Sequence, residues 1–318
     1  ALHTAVEICN HVADHSTYAT DYGTFDIAVR ASIAGGEITW GVWSAAPGSS
    51  ATQSRAYTFG GPAIDTAVLG EDHAEAGEVV IANDGLALLH STGSVTAETL
   101  AGGAQGYSRV TAVVSPETHP SHPTAGQTAT AGRPGRFFPD AVLEQTVLGE
   151  FRHVFSLFIN IARLPEPDER DGFMALFFDL LHQYGGYLCR IGLIGAMDPG
   201  GTFLLFWGAP TTHENDLERV LSFLLDLRAR TAVDLSAGLT YAVVFAGFVG
   251  SDAREEYTCY GLSVNLAARL MAAAGPGDIW LDEETAGLAQ TQFGVEFVDA
   301  LPFKGVDGPQ PVLSLIHI

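Results

Sequence analysis

Two polar side chains four residues apart, Asn265 and Arg269, carry the sharpest chemical signal in the sequence. A spacing of four places both on the same face of a helix. The arginine fork can donate to phosphate oxygens while the amide orients a neighbouring hydroxyl, so this face suits a polyanionic ligand. The same spacing is also common on ordinary helices, where Asn265 would serve the helix start and Arg269 would face water. Spacing alone leaves both interpretations open.

The residues around this pair predict a short strand, a glycine turn and a helix. Residues 256–260 form the strand, Gly261 makes the turn, and Ser263 is predicted to cap the helix that follows. This order carries Asn265 and Arg269 at the start of a helix, next to the end of a strand.

The whole stretch 256–271 resembles the signature segment of class III nucleotidyl cyclases, with its Tyr-Thr/Asp-x-x-Gly-x-x-Val-Asn-x-Ala-Ala/Ser-Arg pattern. Residues 238–250 are similar to the family's glycine-punctuated hairpin, and residues 301–306 are similar to its closing strand. Among subfamilies, the chain most resembles the second catalytic domain of bicarbonate-responsive soluble adenylyl cyclases.

The resemblance implies a role for each matching residue. Thr258 and Arg190 would read adenine, Asn265 would orient the ribose, and Arg269 would stabilise the α-phosphate in the transition state. The implied activity is conversion of ATP to 3′,5′-cyclic AMP and pyrophosphate with two Mg²⁺ or Mn²⁺ ions. An inactive, nucleotide-binding regulatory pseudocyclase is an alternative. A guanylyl cyclase is a weaker one, because a guanine reader typically has Glu and Cys at the two base-reading positions.

The chain also contains an internal repeat. At a constant offset of 206, one set of residues matches another, namely Ile33, Ile38, Gly41 and Val42 with Leu239, Val244, Gly247 and Phe248. In the first copy, Asp65 and Leu69 stand at the positions of the amide and the guanidinium. Leu69 cannot donate to phosphate and Asp65 would repel it, so we predict that this copy's signature face is degenerate and non-catalytic.

We predict an α+β protein with two ferredoxin-like (βαββαβ) class III cyclase homology domains packed head to tail. Residues 1–114 would be the rest of a first domain that is truncated at its N-terminus, 115–136 a linker rich in Thr, Ser, Gly and Pro, and 137–318 a complete second domain. Within the first domain, residues 25–33 and 37–43 are predicted to pair as a hairpin.

Metal ligands are the weak part of this prediction. The resemblance places one metal-binding Asp near the end of an apolar strand at 151–161, where Asn160 stands instead. Asp198 is a weak candidate for the second, since Asp-Pro-Gly is also a routine turn sequence. We therefore expect the ligands of two Mg²⁺ or Mn²⁺ ions upstream of residue 1, and we expect residues 1–318 alone to be inactive.

Composition narrows the class of partner. A formal net charge of −22 over 318 residues argues against nucleic acid or an anionic membrane surface as a partner. The three cysteines are far apart and in no metal-ligand spacing, which predicts reduced core thiols in a cytoplasmic protein. The expected partners are ATP and, within the chain, the two cyclase homology domains themselves.

Overall fold

The computed structural model describes residues 1–20, 23–46, 48–90, 95–100, 106–114, 136–165, 167–193, 200–251 and 254–316. The chain forms two compact units. Unit 1 comprises Ala1–Thr39 and Phe59–Thr130, and unit 2 comprises Trp40–Thr58 and Ala131–Ile318. Helices and strands are mixed in both, so the predicted α+β class is confirmed. Head-to-tail packing of two domains stays a prediction.

Unit 1 contains a four-stranded sheet, a separate hairpin and three helices among its described residues. The elements in chain order are α1 (Leu2–Asp14), β1 (Thr17–Thr20), β2 (Gly23–Asp26), β3 (Ala31–Ile33), α2 (Pro62–Glu71), β6 (Val79–Ala82), α3 (Asn83–His90), β7 (Val95–Thr99) and β8 (Tyr107–Val113). Strands β4 (Thr39–Ser44) and β5 (Arg55–Gly60) come between β3 and α2 in the chain, but they lie mostly in unit 2. Leu2 and Cys9 of α1 pack on Ile81 of β6 in a small apolar core.

Unit 2 is built on a larger sheet. Its elements after β4 and β5 are α4 (Asp140–Leu143), β9 (Gly149–Ile161), α5 (Pro167–Tyr184), β10 (Tyr187–Leu193), β11 (Gly201–Trp207), α6 (Asp216–Arg230), β12 (Leu235–Ser251), β13 (Arg254–Tyr260), α7 (Leu262–Ala273), β14 (Ile279–Asp282), α8 (Glu283–Ala289), β15 (Gly294–Pro302) and β16 (Pro309–Ile316). From β9 to β12 the order is strand, helix, two strands, helix, strand, as a βαββαβ core requires.

The strands of this sheet lie in the order β10-β11-β9-β12-β14-β16-β15, and β13 pairs with β12. Strand β9 is central, and its side chains Leu157, Ile159 and Ile161 are completely buried. Because both neighbours of β9 are antiparallel to it, the core is a mostly antiparallel sheet. Helices α5 and α6 bury Phe177 and Leu224 in the same apolar cluster.

The internal repeat is visible in strand pairing. Unit 1 has the order β3-β6-β8-β7, and unit 2 has the matching order β12-β14-β16-β15. In both, the first pair is parallel and the next two are antiparallel. Ala31 faces Val79 in one unit as Ala237 faces Ile279 in the other, which is the predicted offset of 206 in the first strand.

The predicted hairpin of residues 25–33 with 37–43 is wrong. β3 pairs with β6 instead, and β4 pairs with β5. The physical reason is that Trp43 of β4 is buried in the main core of unit 2, with its ring 6.5 Å from that of Phe203. The predicted boundaries at 114 and 137 stay a prediction, and the compact units differ from them in taking Trp40–Thr58 into unit 2. Most of the predicted linker lies outside the described residues.

Among the described helices, none has the length and apolar character that crossing a bilayer would require.

Candidate functional site

Helix α7 starts where strand β13 turns at a glycine. The N-cap residue is Gly261 and no side chain caps the helix, so the prediction that Ser263 is the cap is wrong. Ser263 lies inside the first turn, where its carbonyl accepts a hydrogen bond from Oγ1 of Thr240 at 3.0 Å. The lack of a side chain at Gly261 lets the turn lie close to Val244, so the helix begins two residues earlier than a cap at Ser263 would give.

One face of α7 packs against strand β12. Ala267 and Leu270 lie on this face and are fully buried. A methyl group on Gly238 of β12 would collide with the carbonyl of Ala267 and the amide nitrogen of Met271. This close approach fixes the rotation of α7, and with it the direction of the opposite face.

That opposite face carries Asn265 and Arg269. Asn265 is exposed and Arg269 is half-buried. Within the part of the chain that the structure describes, neither side chain has a hydrogen bond or ion pair to a protein group. The face therefore offers a guanidinium and an amide whose donors are all available to a ligand.

A loop beside Arg269 adds a second positive charge. A methyl group on Gly305 would lie 3.8 Å from Nη2 and 4.0 Å from Nη1 of Arg269, so the loop backbone lies against the guanidinium. Gly305 has φ +72°, which a residue with a side chain adopts only with strain. The preceding residue, Lys304, is exposed and is the only lysine in the sequence. Lys304 is not among the residues predicted from the sequence, although a single lysine in so acidic a chain is a usable signal.

Arg190 is held by a carboxylate, Glu256, that is not among the site residues predicted from the sequence. Its Nη2 donates to both oxygens of Glu256, each at 3.0 Å. The Arg190 side chain is 62% exposed and that of Glu256 is 21% exposed, so the pair lies at the protein surface with the carboxylate beneath. Burial lowers the pKa of Arg190, but the hydrogen bond and charge of Glu256 outweigh it, and the net pKa is raised.

Thr258 lies two residues after Glu256 and hence on the same face of β13. It is buried, and its Oγ1 accepts a hydrogen bond from the thiol of Cys189 at 3.3 Å. Burial raises the pKa of Cys189 to about 12, against a smaller opposing effect of the Thr258 hydrogen bond. Burial also raises the pKa of the neighbouring Cys259. Both thiols are therefore protonated near neutral pH, and the Thr258 hydroxyl keeps its own proton available to donate.

An irregularity in β10 brings these groups together. Leu188 faces Leu205 of β11 and Arg190 faces Leu204, so Cys189 is an extra residue in the ladder, a β-bulge. The bulge directs the Cys189 thiol to Thr258 and the Arg190 guanidinium to Glu256. The structure thus brings the two predicted base-reading residues to one place on β10 and β13.

The corresponding helix of unit 1, α2, carries Asp65 and Leu69. It also follows a glycine, Gly61, and Leu69 is 62% exposed. Leu69 has no donor, so the described side chains at these two positions provide an acid and an apolar group in place of an amide and a cation.

The described residues do not fit a pair of divalent metal ions. Among them there is no group of three or more His, Cys, Asp and Glu side chains able to hold a metal. Asn160 lies in β9 between Thr202 and Ser236, and its buried Oδ1 has no hydrogen-bond partner among the described residues. A lone neutral amide oxygen is a poor site for Mg²⁺, which prefers carboxylates and waters in octahedral geometry. Asp198, the other candidate, lies outside the described residues.

Part of unit 2 matches a known family of catalytic domains. Residues 194–314 match the family model of the adenylate and guanylate cyclase catalytic domain. Adenylate cyclase type 10 of Rattus norvegicus is 28% identical over 184 residues, which is 54% of this chain and 11% of that protein. The Homo sapiens protein of the same name is 30% identical over 154 residues, covering 44% of this chain and 9% of that protein. The chain thus spans only about a tenth of the length of these relatives.

Among solved structures, the adenylyl cyclase CyaB from P. aeruginosa is 19% identical with a TM-score of 0.47, covering 54% of this chain and 97% of that one.

Proposed function

Because this chain contains a class III nucleotidyl cyclase domain that resembles adenylate cyclase type 10, we propose that unit 2 is the nucleotide-contacting half of an adenylyl cyclase site. The reaction would convert ATP to 3′,5′-cyclic AMP and pyrophosphate. The proposal concerns the residues that bind and orient ATP, since the described residues do not fit the metal ions of such a site.

One observation carries the proposal, the face of α7 on which Asn265 and Arg269 both lie without a protein partner among the described residues. In a chain of net charge −22, a half-buried arginine without an acidic partner is costly unless an anion balances it. The exposed Lys304 in the loop against Arg269 adds to the local positive charge. A triphosphate has the charge to match this surface.

These residues have distinct tasks in the proposed reaction. The ribose 3′-oxygen attacks the α-phosphorus, its proton passes to water, and the bond to the β-phosphate oxygen breaks. Arg269 adds positive charge where negative charge develops on the α-phosphate, and Asn265 fixes the ribose so that attack is in line. Lys304 would neutralise the pyrophosphate that leaves.

Arg190 and Thr258 would read the base. The Thr258 hydroxyl still has a proton to donate, and Arg190 has N–H groups that Glu256 does not engage, because a single nitrogen makes both bonds to that carboxylate. Donors from both residues can meet the acceptor nitrogens of the adenine ring.

We also propose that the two cyclase homology domains of the chain pair with each other. We further propose that the three unpaired thiols reflect a reducing, cytoplasmic setting.

The proposal is tested by calorimetric titration of ATP into the 318-residue chain with Mn²⁺ present. We expect Arg269→Ala and Asn265→Ala to weaken binding by about tenfold or more, because each removes a charge-assisted or oriented contact. Arg219→Ala is the matched control, since Arg219 is a half-buried helical arginine like Arg269, and its Nε donates to Asn215, the residue before α6. Wild-type affinity in both site variants would refute the proposal.

Turnover is a separate question, and we predict that residues 1–318 alone form no cyclic AMP above background with Mg²⁺. The reason is that Asn160 stands where the resemblance places a carboxylate. Mg²⁺-supported formation of cyclic AMP by this chain, abolished by Arg269→Ala, would show that the metal ligands lie within it.

A further inference from the structure

Unit 2 contains a segment from the first copy of the repeat, Trp40–Thr58, which we call the arm. Gln53 of the arm is only 8% exposed. Its Nε2 donates to the carbonyl of Leu188 at 2.7 Å and to that of Phe137 at 3.1 Å, and its Oε1 accepts from the N–H of Leu188 at 2.9 Å. One buried amide therefore satisfies both backbone groups of Leu188.

These bonds matter because Leu188 lies in a strand at the edge of the sheet. Among the described strands, β10 is the last on its side of the sheet and has no neighbour there. The Gln53 amide makes the two bonds that a residue of an adjacent strand would make. Leu188 is also the residue before the bulge at Cys189, from which Arg190 reaches Glu256.

We infer that Gln53 is a positioning residue for base reading, which holds the β10 bulge and thereby aims Arg190 and the Cys189–Thr258 pair. This inference rests on the proposed function for the part that concerns nucleotide. It does not depend on that function for the part that concerns the bulge. Without the amide, two buried backbone groups lose their partners, and β10 is free to return to regular pairing with β11, which would turn Arg190 away from Glu256.

The test uses the 318-residue chain with Gln53→Met, which keeps the length of the side chain and removes all three bonds. Gln53→Glu is the conservative variant, since it keeps the acceptor for the Leu188 N–H and loses both donations. The control is Ser49→Ala in the same arm, because Ser49 Oγ donates to Asp179 of α5 at 2.9 Å rather than to a group of β10.

Two measurements are made on each variant. The first is the alkylation rate of Cys189 by iodoacetamide, followed by peptide mass spectrometry with Cys9 of unit 1 as the internal reference. We expect about a tenfold faster rate in Gln53→Met, a smaller rise in Gln53→Glu and none in Ser49→Ala, because local opening of the bulge exposes the thiol. The second is the Kd for ATP, which we expect to rise about fivefold in Gln53→Met, and to rise by less than that when Gln53→Met is added to Arg190→Ala.

A lower melting temperature with unchanged alkylation of Cys189 would overturn the inference and leave Gln53 as a stability contact only. Effects of Gln53→Met and Arg190→Ala that multiply in full would also overturn it, because the two residues would then act independently. If the wild-type chain bound no ATP, the proposed function and the assignment of Gln53 to base reading would both fail. The alkylation rates would still show whether Gln53 holds the bulge.

Discussion

Helices α2 of unit 1 and α7 of unit 2 begin in the same way but carry different side chains on their exposed faces. Each follows a glycine, and the N–H of the fourth residue bonds back to that glycine, from Asp65 to Gly61 at 3.2 Å and from Asn265 to Gly261 at 3.4 Å. The local backbone is thus conserved within the chain while the exposed face changes from an acid and a leucine to an amide and an arginine. Two side-chain differences thus change the chemistry of an exposed helix face and leave the helix start unchanged.

The two helices also pack on their strands in opposite ways. In unit 2 the small residue is on the strand, where Gly238 makes room for Leu270 of α7. In unit 1 the small residue is on the helix, where a methyl group on Gly70 of α2 would collide with Oγ of Ser32 and with the ring of Tyr107. Close approach of helix and strand is retained, but a different partner supplies the space.

The largest effect is expected when α7 is given the residue of α2. Arg269→Leu, made in a complete cyclase that contains this domain, should lower kcat by about 10² to 10³, the usual cost of losing a donor that stabilises transition-state charge. The melting temperature should change little, because Arg269 has no protein partner among the described residues. Leu69→Arg in the same enzyme should leave kcat within about twofold, since Asp65 still repels phosphate. Normal turnover in Arg269→Leu would remove the catalytic distinction between the helices.

The packing difference gives the next largest effect, on stability. Gly238→Ala should lower the free energy of unfolding of unit 2 by about 2–3 kcal/mol, because the helix backbone cannot give way. At the equivalent position, Ser32→Ala should be neutral or stabilise unit 1 by up to about 1 kcal/mol, since the buried Ser32 Oγ has no partner among the described residues.

Urea unfolding separates these two results. All four tryptophans, Trp40, Trp43, Trp207 and Trp280, belong to unit 2, so their fluorescence follows that unit alone. Hydrogen exchange of β6 follows unit 1. Equal losses of stability from Gly238→Ala and Ser32→Ala would contradict the packing comparison.

A smaller effect is expected on the pH dependence of stability, through the carboxyl of Asp282. Asp282 caps α8 by accepting from the Thr285 N–H at 3.1 Å, whereas unit 1 has Ala82 immediately before α3. Burial raises the pKa of Asp282 to about 6, despite the opposing hydrogen bond from Thr285. The carboxyl in the unfolded chain has a pKa of about 3.9. The contribution of protonated Asp282 to the free energy of unfolding is therefore fully present below about pH 4 and is lost as pH rises through about 6.

Asp282→Asn removes this titration and keeps a capping oxygen. We expect wild type and variant to have similar stability near pH 4, and the variant to be more stable by about 1–3 kcal/mol at pH 7. Tryptophan fluorescence in urea between pH 4 and 7 measures the difference. A wild-type protein that gains stability over Asp282→Asn as pH rises would show that the carboxyl has the opposite shift.

The smallest effect concerns base choice. Arg190→Lys should raise the ratio of ATP to GTP affinity by about twofold to fivefold, because a compact ammonium fits one acceptor of the purine edge better than a broad guanidinium. Competition titration with both nucleotides gives the ratio. Tighter binding of GTP than ATP by the wild-type protein would refute the adenine assignment.

Sequence reasoning succeeded where a pattern is local. The strand, glycine and helix around Asn265 and Arg269 follow from residue types alone, and the offset of 206 reappears as strand register. It failed where the outcome depends on distant packing. Nothing near Trp43 in sequence shows that this side chain is buried in unit 2, and Glu256 acquires its role only when the bulge at Cys189 brings Arg190 to it. The roles of Asn265, Arg269, Arg190 and Thr258 remain predictions.

The arm has a practical consequence for dividing the protein. Because Trp40–Thr58 belongs to unit 2, a protease cut or an expression boundary between residues 114 and 136 cannot release unit 2 intact. The C-terminal fragment would lack Trp43 in its core. It would also lack the Gln53 amide that bonds to its outer strand, β10. Such a fragment should be poorly soluble when made alone. It should recover when the N-terminal fragment is co-expressed, so the two pieces of one polypeptide would behave as a complementing pair.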